Sequence, residues 1–391
     1  MPKHWCLVPA AAALAGCISA PASAPATSST SSNICGLLCG DNGGLIDGIP
    51  FFGAWLPFAP MTGPGEPRVL RFARSFPLML SGTFAPIDVD GGRLRTRMGT
   101  TWLYGPANLE NGVLLIAVGS GTYYVKIAKV NSGIVGGQDL GEPFWTTIPG
   151  ARAESYQLQW ASTKAPVNAN GAPAFQDVCP NIVPLDGDLW QNQIDAVVFE
   201  GDKYNLETTK ISLPPTGDFV AWFNVACAGS LPAKMYLTRR ASASNLAPTY
   251  TNTIADDRQA MVRAWAAEYC GNGVSFTQTG HKLLIQDHLP NLGQDGWLPR
   301  EAPIGFSDEE VKNNSEVTLE AVWDASGAVC LETPRLQVDD GVIPPLSEEE
   351  IEAEILEKCG KRPPRCTELS WYPTKWTAHG KFRTAVRPVG P

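Results

Sequence analysis

Apolar positions along most of this chain come in short runs, and several alternate with polar neighbours at the period of two that marks a strand with one wet face. Tyr156, Leu158 and Trp160 alternate with Gln157 and Gln159, and Tyr123, Val125 and Ile127 stand out from less apolar neighbours in the same way. Val113–Val118 is a continuous apolar run, and Gly119-Ser120-Gly121 after it predicts a hairpin. Further strands are predicted at 194–199, 219–226, 234–237 and 317–323, with turns at Asp186-Gly187 and Glu200-Gly201-Asp202. Trp190, Trp222 and Trp323 fall in strand-like contexts and read as core. No βαβ alternation is visible, so the expected class is mainly β, either all-β or α+β.

Two segments switch to the helical period. Thr253 is a candidate cap, Asp256 and Asp257 complement the dipole of the first turn, and Met261, Trp265 and Tyr269 recur every four residues before Gly271, which predicts a helix over about 254–269. Ser347 with Glu350 forms a capping box, Leu346 and Ile351 fit a hydrophobic staple, and Cys359-Gly360 supplies a stop, which predicts a second helix over about 348–358.

Composition adds limits. At 391 residues the chain is long enough for one large domain or two ordinary ones. A net charge of -9 argues against general nucleic-acid affinity, which depends on Lys and Arg neutralising phosphates. Acidity concentrates in 347–357, whereas Lys361, Arg362, Arg365, Lys375, Lys381, Arg383 and Arg387 make the end basic; residues 373–391 read as a basic tail. Residues 45–97, rich in Pro, Gly and aromatics such as Phe51, Phe52, Trp55 and Phe58, lack a sustained period and read as an N-terminal arm, leaving 98–372 as the β-rich domain.

The first residues point to export. Lys3 and His4 precede a short apolar run, and Leu14-Ala15-Gly16-Cys17 resembles the lipobox of bacterial lipoproteins, so 1–16 is expected to be a signal peptide and Cys17 the lipid site. A rival cut after Ala22-Ser23-Ala24 would be obstructed by Pro25. Residues 17–44, dominated by Ser, Thr, Ala and Pro, read as a flexible tether. Ile18 after the lipidated Cys directs the expectation to the outer membrane, where the cell has one, with the lipid anchor as the membrane contact.

Eight further cysteines fit an oxidising compartment: Cys35, Cys39, Cys179, Cys227, Cys270, Cys330, Cys359 and Cys366. With no C-x-x-C and few His, disulfides are favoured over zinc, and no metal or cofactor is expected. Connectivity stays open; economy of chain favours Cys359 with Cys366 and Cys35 with Cys39.

Ala267-Glu268-Tyr269-Cys270-Gly271 brings a resemblance into view. The chain resembles the bacterial ADYC-domain family, with Asp changed to Glu in the motif. Supporting blocks are Phe223 to Cys227 with Gly229 and Ala233-Lys234, then Gln259-Ala260, Ala321-Val322-Trp323, Gly327 to Leu331, and Cys359-Gly360 with Pro364-Arg365-Cys366. They span roughly 98–371. The resemblance implies an exported or lipid-anchored protein of unknown function and supplies no catalytic residue. Relatives commonly carry a Cys after the Ala-Lys pair and another nine residues before the Cys of the motif, positions held here by Met235 and Met261. Their joint replacement implies a disulfide in relatives, and hence that a strand carrying Met235 packs on the helix carrying Met261.

Candidate chemistry is sparse. Asp287-His288 offers one possible base, but no G-x-S-x-G elbow accompanies it. Glu200 and Asp202 could share a rim and divide acid and base roles, though turn composition explains them equally. Asp186-Gly187-Asp188 could offer oxygens to Ca²⁺ but lacks an EF-hand ligand set. Trp371, Tyr372 and Trp376 could stack on sugars. The expected function is a surface-tethered, non-enzymatic interaction or structural module with an envelope glycan or protein partner. An envelope hydrolase and a glycan-binding protein are the alternatives.

Overall fold

A computed structural model of the chain describes residues 44–57, 59, 66–74, 85–131, 134–135, 138–139, 153–169, 171–179, 195–206, 208–212, 222–227, 230–237, 241, 255–276, 281–287, 311, 317–335 and 347–388. Its first half contains β1 (Gly44–Ile46), β2 (Ile49–Phe51), β3 (Gly53–Trp55), β4 (Arg68–Ala73), β5 (Ile87–Asp90), β6 (Arg93–Met98), β7 (Thr101–Leu103), the short α1 (Pro106–Leu109), β8 (Val113–Val118) and β9 (Gly121–Asn131). Next come β10 (Ile134–Val135), β11 (Gln138–Asp139), β12 (Ser155–Ser162), β13 (Gln176–Asp177), β14 (Asp195–Glu200), β15 (Lys203–Asn205), β16 (Lys210–Ser212) and β17 (Trp222–Cys227). The last part holds α2 (Leu231–Leu237), α3 (Ala255–Ala266), β18 (His281–Asp287), β19 (Thr318–Asp324), β20 (Gly327–Leu331), α4 (Glu348–Cys359) and β21 (Phe382–Pro388). The mainly β class holds.

Seven strands close on themselves in the order β12, β14, β17, β3, β4, β8, β9 and back to β12. All neighbours are antiparallel except β3 and β4, which run parallel through the single pair Trp55 and Arg68. The predicted hairpin joins β8 to β9 with Val118 opposite Gly121. Alternation places Tyr156 and Leu158, Ala196 and Val198, and Phe223 and Val225 in one apolar cluster with Leu114, Ile116, Val125 and Ile127. Closure removes the open edges that a sheet otherwise exposes. A three-stranded sheet, β5-β6-β7, adds Ile87, Val89 and Leu94 to the same cluster.

The residues read as an N-terminal arm therefore contribute β3 and β4 to the barrel wall. Their runs are only three and six residues long, too short for a period to show. The basic stretch 373–391 is likewise no tail throughout, because β21 lies between β18 and β19 in the second sheet, ordered β18-β21-β19-β20. Its Thr384, Ala385 and Val386 are buried, and the basic residues on either side of them, Arg383 and Arg387, obscured the strand.

Helices α2, α3 and α4 all contribute to the buried cluster between barrel and second sheet. α3 shares a cluster with Val197, Phe199 and Ala226 from the barrel wall, and with Ala321, Trp323, Leu331 and Phe382 from the second sheet. It ends at Ala266, three residues before the predicted limit, because Ala267 takes a left-handed conformation, φ +49°. α4 follows the prediction closely: Ser347 and Glu350 make the reciprocal capping box, and Gly360 is left-handed at the far end.

Residues 234–237, expected as a strand, belong to α2. The Ser230 hydroxyl accepts from Ala233 N–H and Pro232 stands in the first turn, a helix start that apolar composition alone did not reveal. Met235 and Met261 are both buried in the cluster that joins the packed helices α2 and α3, so the element carrying Met235 differs from the expectation.

Three disulfides link Cys179 to Cys227, Cys270 to Cys359, and Cys330 to Cys366, with Cα separations of 5.4, 5.1 and 4.9 Å. The pairing of Cys359 with Cys366 is corrected. Cys359 ends α4 against the motif's Cys270, whereas Cys366 enters a separate cluster with Cys330, Val322 and Trp376. Cys35 and Cys39 lie outside the described residues.

Candidate functional site

The ADYC-like motif follows the end of α3 and ties that end to the β15–β16 turn, to the second sheet and to α4. Ala267 reverses the chain with a left-handed backbone, which carries the Glu268 carboxylate back beside its own helix. There it accepts from Gly273 N–H at 2.7 Å, from the Thr209 hydroxyl at 2.7 Å and from the Arg263 guanidinium. Arg263 also donates to the Ala325 carbonyl at 2.7 Å, reaching the turn between β19 and β20. Glu268 is fully buried, and such a charge is tolerated only when paired and hydrogen-bonded.

Tyr269 extends the node into the second sheet. Its hydroxyl donates to Glu320 at 2.8 Å and accepts from Arg335 N–H at 2.9 Å, and burial beside the Glu320 carboxylate pushes its ionisation well above the usual tyrosine range. The Arg335 guanidinium pairs with Glu320 at 2.8 Å and donates to the carbonyls of Trp265, at 3.0 Å, and Ala264. It thereby caps the last turn of α3, where a cation also complements the helix dipole. Cys270 follows with its bridge to Cys359. Gly271 has φ +72°, and a Cβ there would meet the Ser326 carbonyl oxygen at 1.9 Å, so only glycine permits this approach to the β19–β20 turn.

At the opposite end of α3, Arg258 pairs with Asp202 at 3.1 Å, and both side chains are buried. Asp202 follows β14. The helix is thus bolted to the barrel through Asp202 and to the second sheet through Arg335 and Glu320.

Glu200 does not share a cleft with Asp202. Its two oxygens accept from the turn amides Gly91, at 2.8 Å, and Gly92, at 3.1 Å, between β5 and β6. Burial raises its carboxyl above the ordinary range against the opposing pull of those hydrogen bonds. Nearby, Glu154 pairs with Arg93 at 3.0 Å and accepts from the Tyr156 hydroxyl, which accepts from Leu94 N–H at 2.8 Å. These groups hold the β5–β6 hairpin to the barrel.

The three aromatics proposed for sugar stacking do not form one platform. Trp376 is buried against the disulfide cluster with the Arg383 guanidinium 5.2 Å from its ring centre. Trp371 is stacked on His379 at 4.5 Å and meets Tyr372 edge-on at 6.4 Å. Trp222 and Trp323 are buried as expected. His288, Asp186, Asp188, Trp190 and Cys17 lie outside the described residues, as does the Asp287 side chain. Among the described residues, no three His, Cys, Asp or Glu side chains gather as a metal ligand set, and no helix is long and apolar enough to cross a membrane. The role of Glu268 was missed from sequence, although an acidic residue five positions after Arg263 at a helix end was the available signal.

These features define a disulfide-stapled β-barrel domain whose signature motif forms an internal junction. The chain belongs to the ADYC-domain family: the model of the ADYC domain matches residues 142–337, half of its length. That stretch contains Asp202, Thr209, Arg258, Arg263, Glu268, Tyr269, Glu320 and Arg335, so the whole polar junction falls within it. It excludes β3, β4, β8 and β9, which complete the barrel, and it is narrower than the span of resembling blocks. No curated protein and no solved structure matches the chain.

Proposed function

We propose that this protein is a non-enzymatic interaction or structural module of the cell envelope, exported and held at a membrane by a lipid on Cys17. The supporting observation is the engagement of the motif itself: Glu268, Tyr269 and Cys270 each bind another part of the fold. Glu200 and Asp202, the carboxylates best suited by sequence to acid and base roles, are likewise held by a hairpin turn and by Arg258. Such a body presents a rigid surface at the end of a tether.

Two experiments test this reading. Cys17→Ser should abolish lipidation and release the protein from the membrane fraction; unchanged fractionation and processing would overturn the anchor. Purified protein, delipidated and oxidised, should be retained on isolated envelope material without turning over a glycan and peptide panel. Turnover lost in Glu200→Ala would establish an enzyme instead.

A further inference from the structure

The three disulfides differ in burial and in what they hold. Cys179 with Cys227, and Cys330 with Cys366, have no more than 1% of their surface exposed, whereas Cys270 and Cys359 are both half-buried. The half-buried bridge completes the inner stripe of α4, where Ile351, Ile355 and Cys359 recur every four residues. Ile351 and Ile355 are the only buried residues of that helix, and Leu356 on its outer side keeps 57% of its surface exposed. The other ties are polar. Asn272 donates to the Lys358 carbonyl at 2.8 Å, the Lys358 ammonium lies 5.3 Å from the Phe276 ring centre, and Arg362 and Arg365 pair with Glu352, at 2.6 Å, and Glu348. Arg365 and Glu348 are exposed, and ion pairs in contact with water hold weakly.

We propose that the Cys270–Cys359 bridge is a redox switch: a dithiol reductant opens it ahead of the other two and frees α4 from the motif while the rest of the fold stays closed. Access to sulfur governs thiol–disulfide exchange, and burial shields the other bridges. Cys359 ends α4, where the negative end of the helix dipole disfavours a thiolate, so Cys270 is the better leaving group. One thiolate of the reductant bonds to the Cys359 sulfur as the Cys270–Cys359 bond breaks and Cys270 leaves with the electron pair. The second thiolate then bonds to the first reductant sulfur and releases Cys359. The reductant ends as a disulfide, and its two protons pass to the two protein thiolates. The chain on both sides of α4 stays anchored. Before it, buried Arg335 pairs with Glu320 at 2.8 Å; after it, Leu331 N–H donates to the Pro364 carbonyl at 2.9 Å and Cys366 keeps its buried bridge to Cys330. Reduction thus leaves α4 held by two isoleucines and its polar contacts, with barrel and second sheet intact.

The test is graded reduction of the oxidised full chain carrying Cys17→Ser with dithiothreitol under native conditions, followed by acid quench, alkylation and mass-spectrometric mapping, together with hydrogen exchange. Cys270 and Cys359 should become alkylated at least about tenfold faster than the four buried cysteines. In protein reduced only there, the amides of α4 should exchange at least about tenfold faster while β12 and β21 keep their protection. Cys270→Ser with Cys359→Ser should reproduce that pattern without reductant, and higher salt, by screening the pairs of Glu348 and Glu352, should accelerate it further. Equal reduction rates for the three bridges, or unchanged α4 protection once this one opens, would overturn the proposal. So would loss of protection throughout the barrel, or failure of the double variant to fold, because the bridge would then hold the whole fold and not α4 alone.

Discussion

The barrel interior and the α3 seam are both buried, yet they are held by different forces. Inside the barrel, Leu114, Ile116, Val125, Leu158, Val198 and Val225 meet as apolar surfaces, which attract without regard to direction. Along α3, Arg258, Arg263 and Arg335 pair with Asp202, Glu268 and Glu320, each within a buried environment. Desolvation offsets much of the attraction in such pairs, so their main effect falls on any arrangement that leaves one partner alone. An apolar interior therefore makes the fold stable, whereas the seam makes one docking of helix and sheets far better than its alternatives.

Breaking the seam should have the largest effect. Glu268→Ala strands the Arg263 charge and removes acceptors for Thr209 and Gly273, and should cost about 3–5 kcal/mol in denaturant unfolding of the oxidised protein. Glu268→Asp, which restores the family's motif residue, should cost less. A loss below about 1 kcal/mol for the alanine variant would mean that the carboxylate does not lock the helix.

Removing the covalent clamp comes next. Cys270→Ser together with Cys359→Ser frees the motif from α4 and should lower stability by about 2–4 kcal/mol, mainly by relaxing the unfolded chain. Mass spectrometry of the parent protein should find all six cysteines from Cys179 to Cys366 oxidised in the observed pairs. Free thiols at any two would contradict this pairing.

Glu200 offers a titratable version of the same contrast. Glu200→Gln leaves one acceptor oxygen for two turn amides and should cost about 1–3 kcal/mol at neutral pH. Because burial raises the Glu200 carboxyl above its ordinary value of 4.5, the folded state keeps a proton that the unfolded chain has released. This contribution is full below pH 4.5, is lost as pH rises through the raised value, and is flat above it. The stability gap between parent and Glu200→Gln should therefore be wider at pH 4.5 than at pH 7; a gap that narrows on acidification would contradict the raised carboxyl.

The smallest effect is expected inside the barrel. Leu158→Met conserves volume and apolarity among fully apolar neighbours and should cost less than about 1.5 kcal/mol. The near-isosteric Glu268→Gln should cost distinctly more, since it leaves the Arg263 charge without its counterion. Equal losses at the two sites would erase the distinction between them.

Much of the local structure was legible before the fold was known. The hairpin at Gly119 to Gly121, the alternation of β12 and both ends of α4 depend on neighbours a few residues away, so period, capping and turn chemistry suffice to read them. α2 was misread because four residues cannot distinguish a buried helix turn from a strand. The motif was recognised as a string of letters, but its work was hidden: the groups that engage Glu268 and Tyr269 include Thr209 and Arg335, 59 and 66 residues away.

By itself, the sequence determined a mainly β chain, its strongest caps and turns, and membership of a family through one short motif and its flanking blocks. Tertiary structure alone decided that β3 and β4 close the barrel, that β21 enters the middle of a sheet, and that Cys359 meets Cys270 rather than the nearby Cys366. The division follows from distance along the chain. Backbone periodicity and capping are settled within one or two turns, whereas strand pairing, disulfide choice and the partner of a buried charge depend on which surfaces burial brings face to face.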